Sequence, residues 1–237
     1  MQTRFQRAIP RRILQALFPP RCLLCGKNGH EGMDICAGCY ADLPLNRPAC
    51  RQCGENLGAA AQTVCGACLV HAPAFDVTHA PFLYRGPLPF QIGQLKFHGR
   101  LPHARLLGQL LARHLISVQA EMPECLLPTP LHPRRYRARG FNQAHEIGRE
   151  VAAELNLPLN PRLVTRQQDT PHQTGLSAEE RRRNLRQAFQ LRSPLAYRKI
   201  AILDDVMTTG ATVNALAQLL KRHGATQVQV WTCARAE

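Results

Sequence analysis

The sequence predicts an α/β fold, a mainly parallel sheet with helices on both faces, preceded by a small cysteine-rich module. Three observations carry this reading. Eight of the ten cysteines fall into four C-x-x-C pairs between Cys22 and Cys68. From Pro73 onward, short apolar runs alternate with stretches of helical periodicity. One run, Lys199 to Thr212 (KIAILDDVMTTGAT), joins an apolar strand to a helix start through two acids and a small-residue turn.

Residues 1–20 are basic, with arginines on both sides of a few apolar residues. They predict a short amphipathic helix and lack the long apolar region of a secretory signal, so a cytoplasmic location is expected. No run of about 18 apolar residues occurs, so no transmembrane span is expected.

Residues 21–72 hold the pairs Cys22/Cys25, Cys36/Cys39, Cys50/Cys53 and Cys65/Cys68, separated by ten, ten and eleven residues. Two cysteines flanking two residues present both sulfurs to one tetrahedral ion, and two such knuckles complete a four-cysteine zinc site. The unit is duplicated: Cys22-Leu-Leu-Cys25-Gly26 matches Cys50-Arg-Gln-Cys53-Gly54, and Cys36-Ala-Gly-Cys39 matches Cys65-Gly-Ala-Cys68. A duplicated ribbon predicts two Zn²⁺ sites, Cys22/Cys25/Cys36/Cys39 and Cys50/Cys53/Cys65/Cys68. A cross-braced pairing, first pair with third and second with fourth, stays open. Closed four-thiolate sites are structural, and a reducing compartment argues against disulfides.

Residues 73–237 form the larger domain. A strand is expected over Val77–Tyr84, then helices over Leu88–Phe97 and Leu101–Gln119. Cys125 to Leu127 reads as a strand running into Pro128-Thr129-Pro130-Leu131-His132-Pro133, where three prolines stiffen a loop at a strand end. Parallel sheets bind ligands at such ends. An arginine-dense segment (Arg134, Arg135, Arg137, Arg139) precedes a helix to about Leu155. A polar loop, Arg166 to Gly175, leads to a capping box at Ser177–Glu180. A strand over Ile200–Leu203 ends at Asp204 and Asp205, a helix follows over Val213–His223, and the last strand spans Gln227–Thr232. Cys125 and Cys233 read as small buried hydrophobes.

The first N–H groups of a helix lack intrahelical partners, so the turn before Val213 suits an anion. Gly210 permits close backbone approach, and Thr208, Thr209 and Thr212 add hydroxyl donors beside Ala211. Asp204 and Asp205 cannot serve the anion itself. They suit a sugar diol, or Mg²⁺ held directly or through water. The stretch lacks the Gly-Lys-[Ser/Thr] of a Walker A loop.

This stretch resembles the phosphoribosyl-pyrophosphate loop of type I phosphoribosyltransferases. The resemblance implies that Asp204 and Asp205 grip the ribose 2′- and 3′-hydroxyls. It also implies that Thr208, Thr209, Gly210, Ala211 and Thr212 hold the 5′-phosphate, with Mg²⁺ accompanying the pyrophosphate. Taken in order, PTPLHPRRYRARGFNQ, the Asp169–Gln173 segment with Leu176–Phe189, and DDVMTTGAT resemble the ComF/GntX family. That likeness implies a double zinc ribbon ahead of a type I phosphoribosyltransferase-like domain, and a role in handling imported DNA, in competence or DNA utilisation. It places Pro128, Thr129, Pro130, Leu131 and His132 in the pyrophosphate loop, and Arg166, Gln173 and Arg181 in a mobile catalytic loop. Thr208 stands where some purine-salvage members carry an aspartate, which disfavours purine transfer. No base-recognition segment follows the last strand, so ligand binding is better supported than turnover and no acceptor is named.

Formal net charge is +14, and eight thiolates with two Zn²⁺ would leave +10. Such a surface favours polyanions. The alternative function is therefore a non-catalytic adaptor whose Arg134, Arg135, Arg137 and Arg139 meet single-stranded DNA, or which docks a DNA-uptake or helicase-type protein. Aromatics are 5% of the chain, sparse for a stacking platform.

Overall fold

The computed structural model describes residues 19–59, 62–167 and 188–237. Two compact units divide between Leu43 and Pro44, so the two knuckle pairs fall in different units.

The smaller unit is built on tight turns. The Cys22 N–H donates to Lys27 O at 2.8 Å, and the Gly26 N–H donates to Cys22 O at 2.9 Å. Cys36 caps the five-residue α1 (Ala37–Ala41), its Sγ accepting from the Cys39 N–H at 3.5 Å.

The larger unit runs α2 (Gly66–Val70), β1 (Val77–His79), β2 (Phe82–Leu83), α3 (Leu88–His98), α4 (Leu101–Ser117), β3 (Cys125–Pro128), α5 (Pro133–Arg139), α6 (Gln143–Leu155), β4 (Val164–Arg166), β5 (Phe189–Leu191), β6 (Lys199–Met207), α7 (Ala211–Arg222) and β7 (Gln227–Arg235). The main sheet is parallel: β1 and β2 share one edge of β7, followed by β6 and β3. β4 and β5 form a separate antiparallel pair. The strand expected over Val77–Tyr84 is broken at Pro81, which has no N–H for a ladder and whose carbonyl accepts from the Asn46 N–H at 2.8 Å.

Side chains alternate along β6. Ile200 and Ile202 join a cluster with Val213, Leu216 and Leu220 of α7. Leu203 faces the other side, where a Cβ added at Gly148 of α6 would lie 3.9 Å from it. Both faces are covered by helices, which is why this strand reads as one continuous apolar run. Behind α6, Gly108 of α4 lets the helices touch: a Cβ there would meet Glu150 Cβ at 2.6 Å.

Two strands outrun their sequence reading. β6 does not stop at Leu203 but continues to Met207, because β7 continues beside it to Arg235. Asp204 pairs with Thr232, Val206 with Ala234 and Met207 with Arg235. The aspartates therefore sit within the strand, and the pleat gives them different surroundings. Asp205 is 3% exposed, whereas Asp204 is half-buried. Arg134–Arg139 is helical, opened by Pro133 and capped by His132, whose Nδ1 accepts from the Arg134 N–H at 3.3 Å.

The second knuckle pair is bonded into the sheet edge. The Thr78 N–H donates to Arg51 O at 2.9 Å and Thr78 Oγ1 donates to Gln52 O at 2.6 Å. Buried Asn46 donates from Nδ2 to Gly54 O at 2.8 Å and to Ala80 O at 3.1 Å, and its Oδ1 accepts from Asn56 Nδ2 at 3.0 Å.

Candidate functional site

The cysteine sulfurs gather in two groups, Cys22/Cys25/Cys36/Cys39 and Cys50/Cys53/Cys65/Cys68. In each group the four Sγ atoms lie within 4.8 Å of one another. The sequential pairing is realised and the cross-braced one is not. Burial raises the Cys22 thiol, but the N–H groups of Cys36, Cys25 and Leu24 outweigh it and draw it down to about 6. Cys50 behaves alike, drawn to about 7 by the N–H groups of Cys53, Cys65 and Gln52 against the effect of burial. Burial and neighbouring thiols push Cys39 and Cys68 up. Four crowded sulfurs cannot all ionise alone, and a tetrahedral Zn²⁺ is the cation that suits this donor set. The chain carries two zinc sites, each of four cysteines.

The second kind of site lies at the C-terminal edge of the sheet. β3 and β6 are neighbours, with Pro128 paired to Leu203, so Pro128–His132 and Asp204–Thr212 emerge at the same edge. The Thr129 N–H continues this pairing to Leu203 O at 2.8 Å. Thr129 O accepts from Asn142 Nδ2 at 2.9 Å, while Asn142 Oδ1 caps α6 through the Ala144 N–H at 3.0 Å. One asparagine thus fixes both the loop and the helix behind it. Thr129 is buried, and its Oγ1 finds no partner among the described residues. Pro128 and Pro130 are buried; Leu131 and His132 are half-buried.

Asp205 is held on two sides. Lys96 Nζ from α3 lies 3.2 Å from Oδ2, and Gln143 Nε2 from α6 donates to Oδ1 at 3.4 Å. Arg139 Nη1 in turn donates to Gln143 Oε1. Burial, then the adjacent Asp205 charge, raises Asp204 well above the usual carboxylate range. Its Oδ1 accepts from the Asp205 N–H at 2.9 Å. Burial lowers the Arg139 guanidinium, opposed by the charge of Asp205.

Past β6 the turn is open. Thr208 and Thr209 are exposed; Gly210, Ala211 and Thr212 are partly so. Gly210 has φ of 73°, a left-handed conformation that favours glycine, and a Cβ there would displace only the movable tip of Met207. The twelve-residue α7 begins at Ala211, and its first N–H groups face the turn.

The remaining expected residues divide. Arg134, Arg135 and Arg137 are exposed on α5, whereas Arg139 is half-buried against Gln143. Arg166 lies over the Phe189 ring at 5.6 Å, at the end of β4. Gln173 and Arg181 lie outside the described residues. Sequence reasoning missed Lys96 and Gln143, for no spacing rule links them to Asp205 at separations of 109 and 62 residues. It also missed an open cleft of about 620 Å³, lined by Lys96, Phe97, His98, Arg135, Arg139 and Phe141. Phe97 is 75% exposed.

A double zinc ribbon domain model matches residues 13–69. The protein is thus of the class that joins a double zinc ribbon to a parallel α/β sheet. Competence protein F of Haemophilus influenzae is 36% identical over 224 residues, 91% of this chain and 97% of that one. DNA utilization protein YhgH of Escherichia coli K12 is 37% identical over 92% of this chain and 97% of that one. Competence protein ComFC of Streptococcus pneumoniae is 25% identical over 91% of this chain and 100% of its own. With such coverage, the chain belongs to the ComF/GntX family of competence and DNA-utilisation proteins.

Among solved structures, a purine phosphoribosyltransferase from Pyrococcus horikoshii is similar at 15% identity and TM-score 0.31, over 52% of this chain and 66% of that one. TT1426 from Thermus thermophilus is similar at 21% and 0.30, over 54% and 71%. These overlaps are too slight to say anything of the site. No helix among the described residues is long and apolar enough to cross a membrane.

Proposed function

We propose that the chain binds phosphoribosyl pyrophosphate, or a similar sugar phosphate, with Mg²⁺ at the ends of β3 and β6. One observation carries this reading: an acidic pair and the N-terminus of α7 meet at one strand end, a few residues apart. The acids suit a diol and the helix start suits a phosphate. Asp204 and Asp205 accept from the ribose hydroxyls, while the amides and hydroxyls of Thr208, Thr209, Gly210, Ala211 and Thr212 surround the 5′-phosphate. The pyrophosphate falls to Pro128–His132, where the Thr129 hydroxyl, without a partner among the described residues, supplies a donor. The donors nearby are carboxylate and hydroxyl oxygens, the kind Mg²⁺ accepts. Lys96 and Gln143 already engage Asp205, so water or the ligand's own oxygens would complete the coordination. Bound there, Mg²⁺ would neutralise pyrophosphate charge.

Transfer of the phosphoribosyl group needs an acceptor as well. The Phe97 and Phe141 cleft beside Lys96 and Arg139 has room for a planar one, and the family resemblance assigns Arg166, Gln173 and Arg181 to a mobile catalytic loop. Calorimetry with phosphoribosyl pyrophosphate and Mg²⁺ tests the binding. The wild type should bind, and Asp204→Asn/Asp205→Asn should abolish binding with both zinc ions retained. A wild type that does not bind ends this reading.

A second reading is favoured by α5, which buries none of its residues and exposes three arginines, and by the competence and DNA-utilization roles for which the relatives are named. In it the chain is an adaptor for single-stranded DNA or for a helicase-type partner. Neutralising Arg134, Arg135 and Arg137 to glutamine should weaken oligonucleotide binding and lower its salt slope by about 0.7 for each phosphate no longer neutralised. Unchanged affinity would remove α5 as the DNA-binding element.

A further inference from the structure

One side chain closes the C-terminal end of the sheet. Arg235, the last residue of β7, is 9% exposed, and its guanidinium is directed mainly at backbone carbonyls. Nε donates to Cys53 O at 3.2 Å. Nη1 donates to Met207 O at 3.3 Å and to the carbonyls of Thr208 and Ala236. Nη2 lies 3.6 Å from Glu55 Oε2. Cys53 is a ligand of the second zinc centre, and Thr208 opens the turn before α7. A single planar fork therefore joins a metal knuckle to the anion turn.

The geometry of this fork matters. A guanidinium holds its N–H groups in a fixed plane, so it cannot follow Cys53 O without moving against Met207 O and Thr208 O. A lysine keeps the charge but offers one tetrahedral head that cannot span the same carbonyls. Cys53 also packs against the apolar cluster that contains Met207 and Val213, so the knuckle and the root of the turn share a core. The knuckle keeps its bonds from Thr78 and Asn46 when Arg235 is changed, so the substitution perturbs the link and leaves the docking in place.

We infer that zinc at the Cys50/Cys53/Cys65/Cys68 centre and the anion turn Thr208–Thr212 are coupled through Arg235. The metal fixes Cys53 O, Cys53 O fixes the guanidinium, and the guanidinium fixes the turn. Arg235 is a positioning residue in this scheme. The coupling of centre to turn stands on geometry alone; its effect on ligand affinity rests on the sugar-phosphate reading. Where the ligand binds, linkage makes the effect reciprocal: zinc tightens the ligand, and the ligand retains zinc.

Hydrogen exchange over Thr208–Thr212 reads the coupling with no ligand present. The full chain carrying Cys25→Ser, which empties the first centre, is compared with and without a zinc-selective chelator. Chelation should speed exchange in the turn several-fold more than in β3, whose exchange reads any loss of stability of the whole unit. Adding Arg235→Lys should give fast exchange with zinc still bound and no further gain on chelation. A merely structural role would instead raise exchange in the turn by no more than in β3, β6 and β7.

In a second arm, phosphoribosyl pyrophosphate with Mg²⁺ is titrated into the otherwise wild-type chain and into Arg235→Lys. The variant should bind about 10-fold more weakly. In the wild type the ligand should slow release of one of the two zinc ions by a similar factor. Turn exchange that is indifferent to zinc overturns the inference, as does an Arg235→Lys chain that matches wild type in both arms. If exchange responds and the ligand fails to bind, the coupling holds and the sugar-phosphate reading falls.

Discussion

The two zinc centres are copies in sequence and opposites in setting. Cys22/Cys25/Cys36/Cys39 sits in the small unit before Pro44, among tight turns and the five-residue α1. Cys50/Cys53/Cys65/Cys68 is part of the large unit, bonded to β1 through Thr78, to the strand edge through Asn46, and to the turn before α7 through Arg235. Duplication supplies the same metal box twice. What the box does is decided by the residues around it, none of which belongs to the repeat.

The largest expected effect breaks one copy at a time. Structural zinc contributes on the order of 10 kcal/mol of apparent binding free energy in small metal modules. Cys53→Ser should release one zinc and lower the thermal midpoint of the large unit by more than about 10 °C, read by calorimetry. Cys25→Ser should also release one zinc yet leave that midpoint in place. Equal shifts from the two variants would erase the distinction between the centres.

Asn46→Ala probes the docking without touching a ligand. It leaves the carbonyls of Gly54 and Ala80 and the Asn56 amide without their buried partner, at a cost of about 2–3 kcal/mol. Urea denaturation should show the loss in the large unit with zinc content still two. A cost below about 0.5 kcal/mol, the size of an ordinary surface change, would mean that Asn46 does not hold the knuckle.

An effect of similar size sharpens the comparison through pH. Burial, aided by the charges of His79 and Arg47, lowers His114 to about 4, and the His79 and His114 rings stand 6.2 Å apart. The folded state keeps His114 neutral, while the unfolded chain takes up the proton below about 6.5. Stability should therefore fall as pH drops from about 6.5 toward 4, by up to about 3 kcal/mol. His114→Gln should flatten that slope, and Cys25→Ser should leave it unchanged.

The parts legible in the sequence are those whose signal is local. C-x-x-C spacing marks the metal ligands, the Ile200–Leu203 run marks the central strand, and the residues around Gly210 mark the turn. What escapes depends on partners far along the chain. β6 reaches Met207 only because β7 pairs with it there, and an acidic pair gives no hint that a strand continues through it. Lys96 and Gln143 reach Asp205 from α3 and α6, and Arg235 reaches Cys53 across 182 residues. Pro81 is plain in the sequence, yet the Val77–Tyr84 pattern hides that it splits the strand. The arginine run reads as four equivalent charges, whereas helix α5 exposes three and turns Arg139 toward Gln143.

The Asp204–Asp205 doublet is a stator and a seat. The pleat leaves Asp205 clamped between Lys96 and Gln143, bracing α3 and α6 against the sheet, while Asp204 stands half-open at the rim. Asparagine at 204 replaces a carboxyl at the rim and leaves the frame intact. Asparagine at 205 releases Lys96 from its counter-charge and loosens the frame itself. Two identical letters, side by side, thus define two separate loci for engineering: one a carboxyl at the open rim, the other a clamp that sets how rigidly α3 and α6 are held.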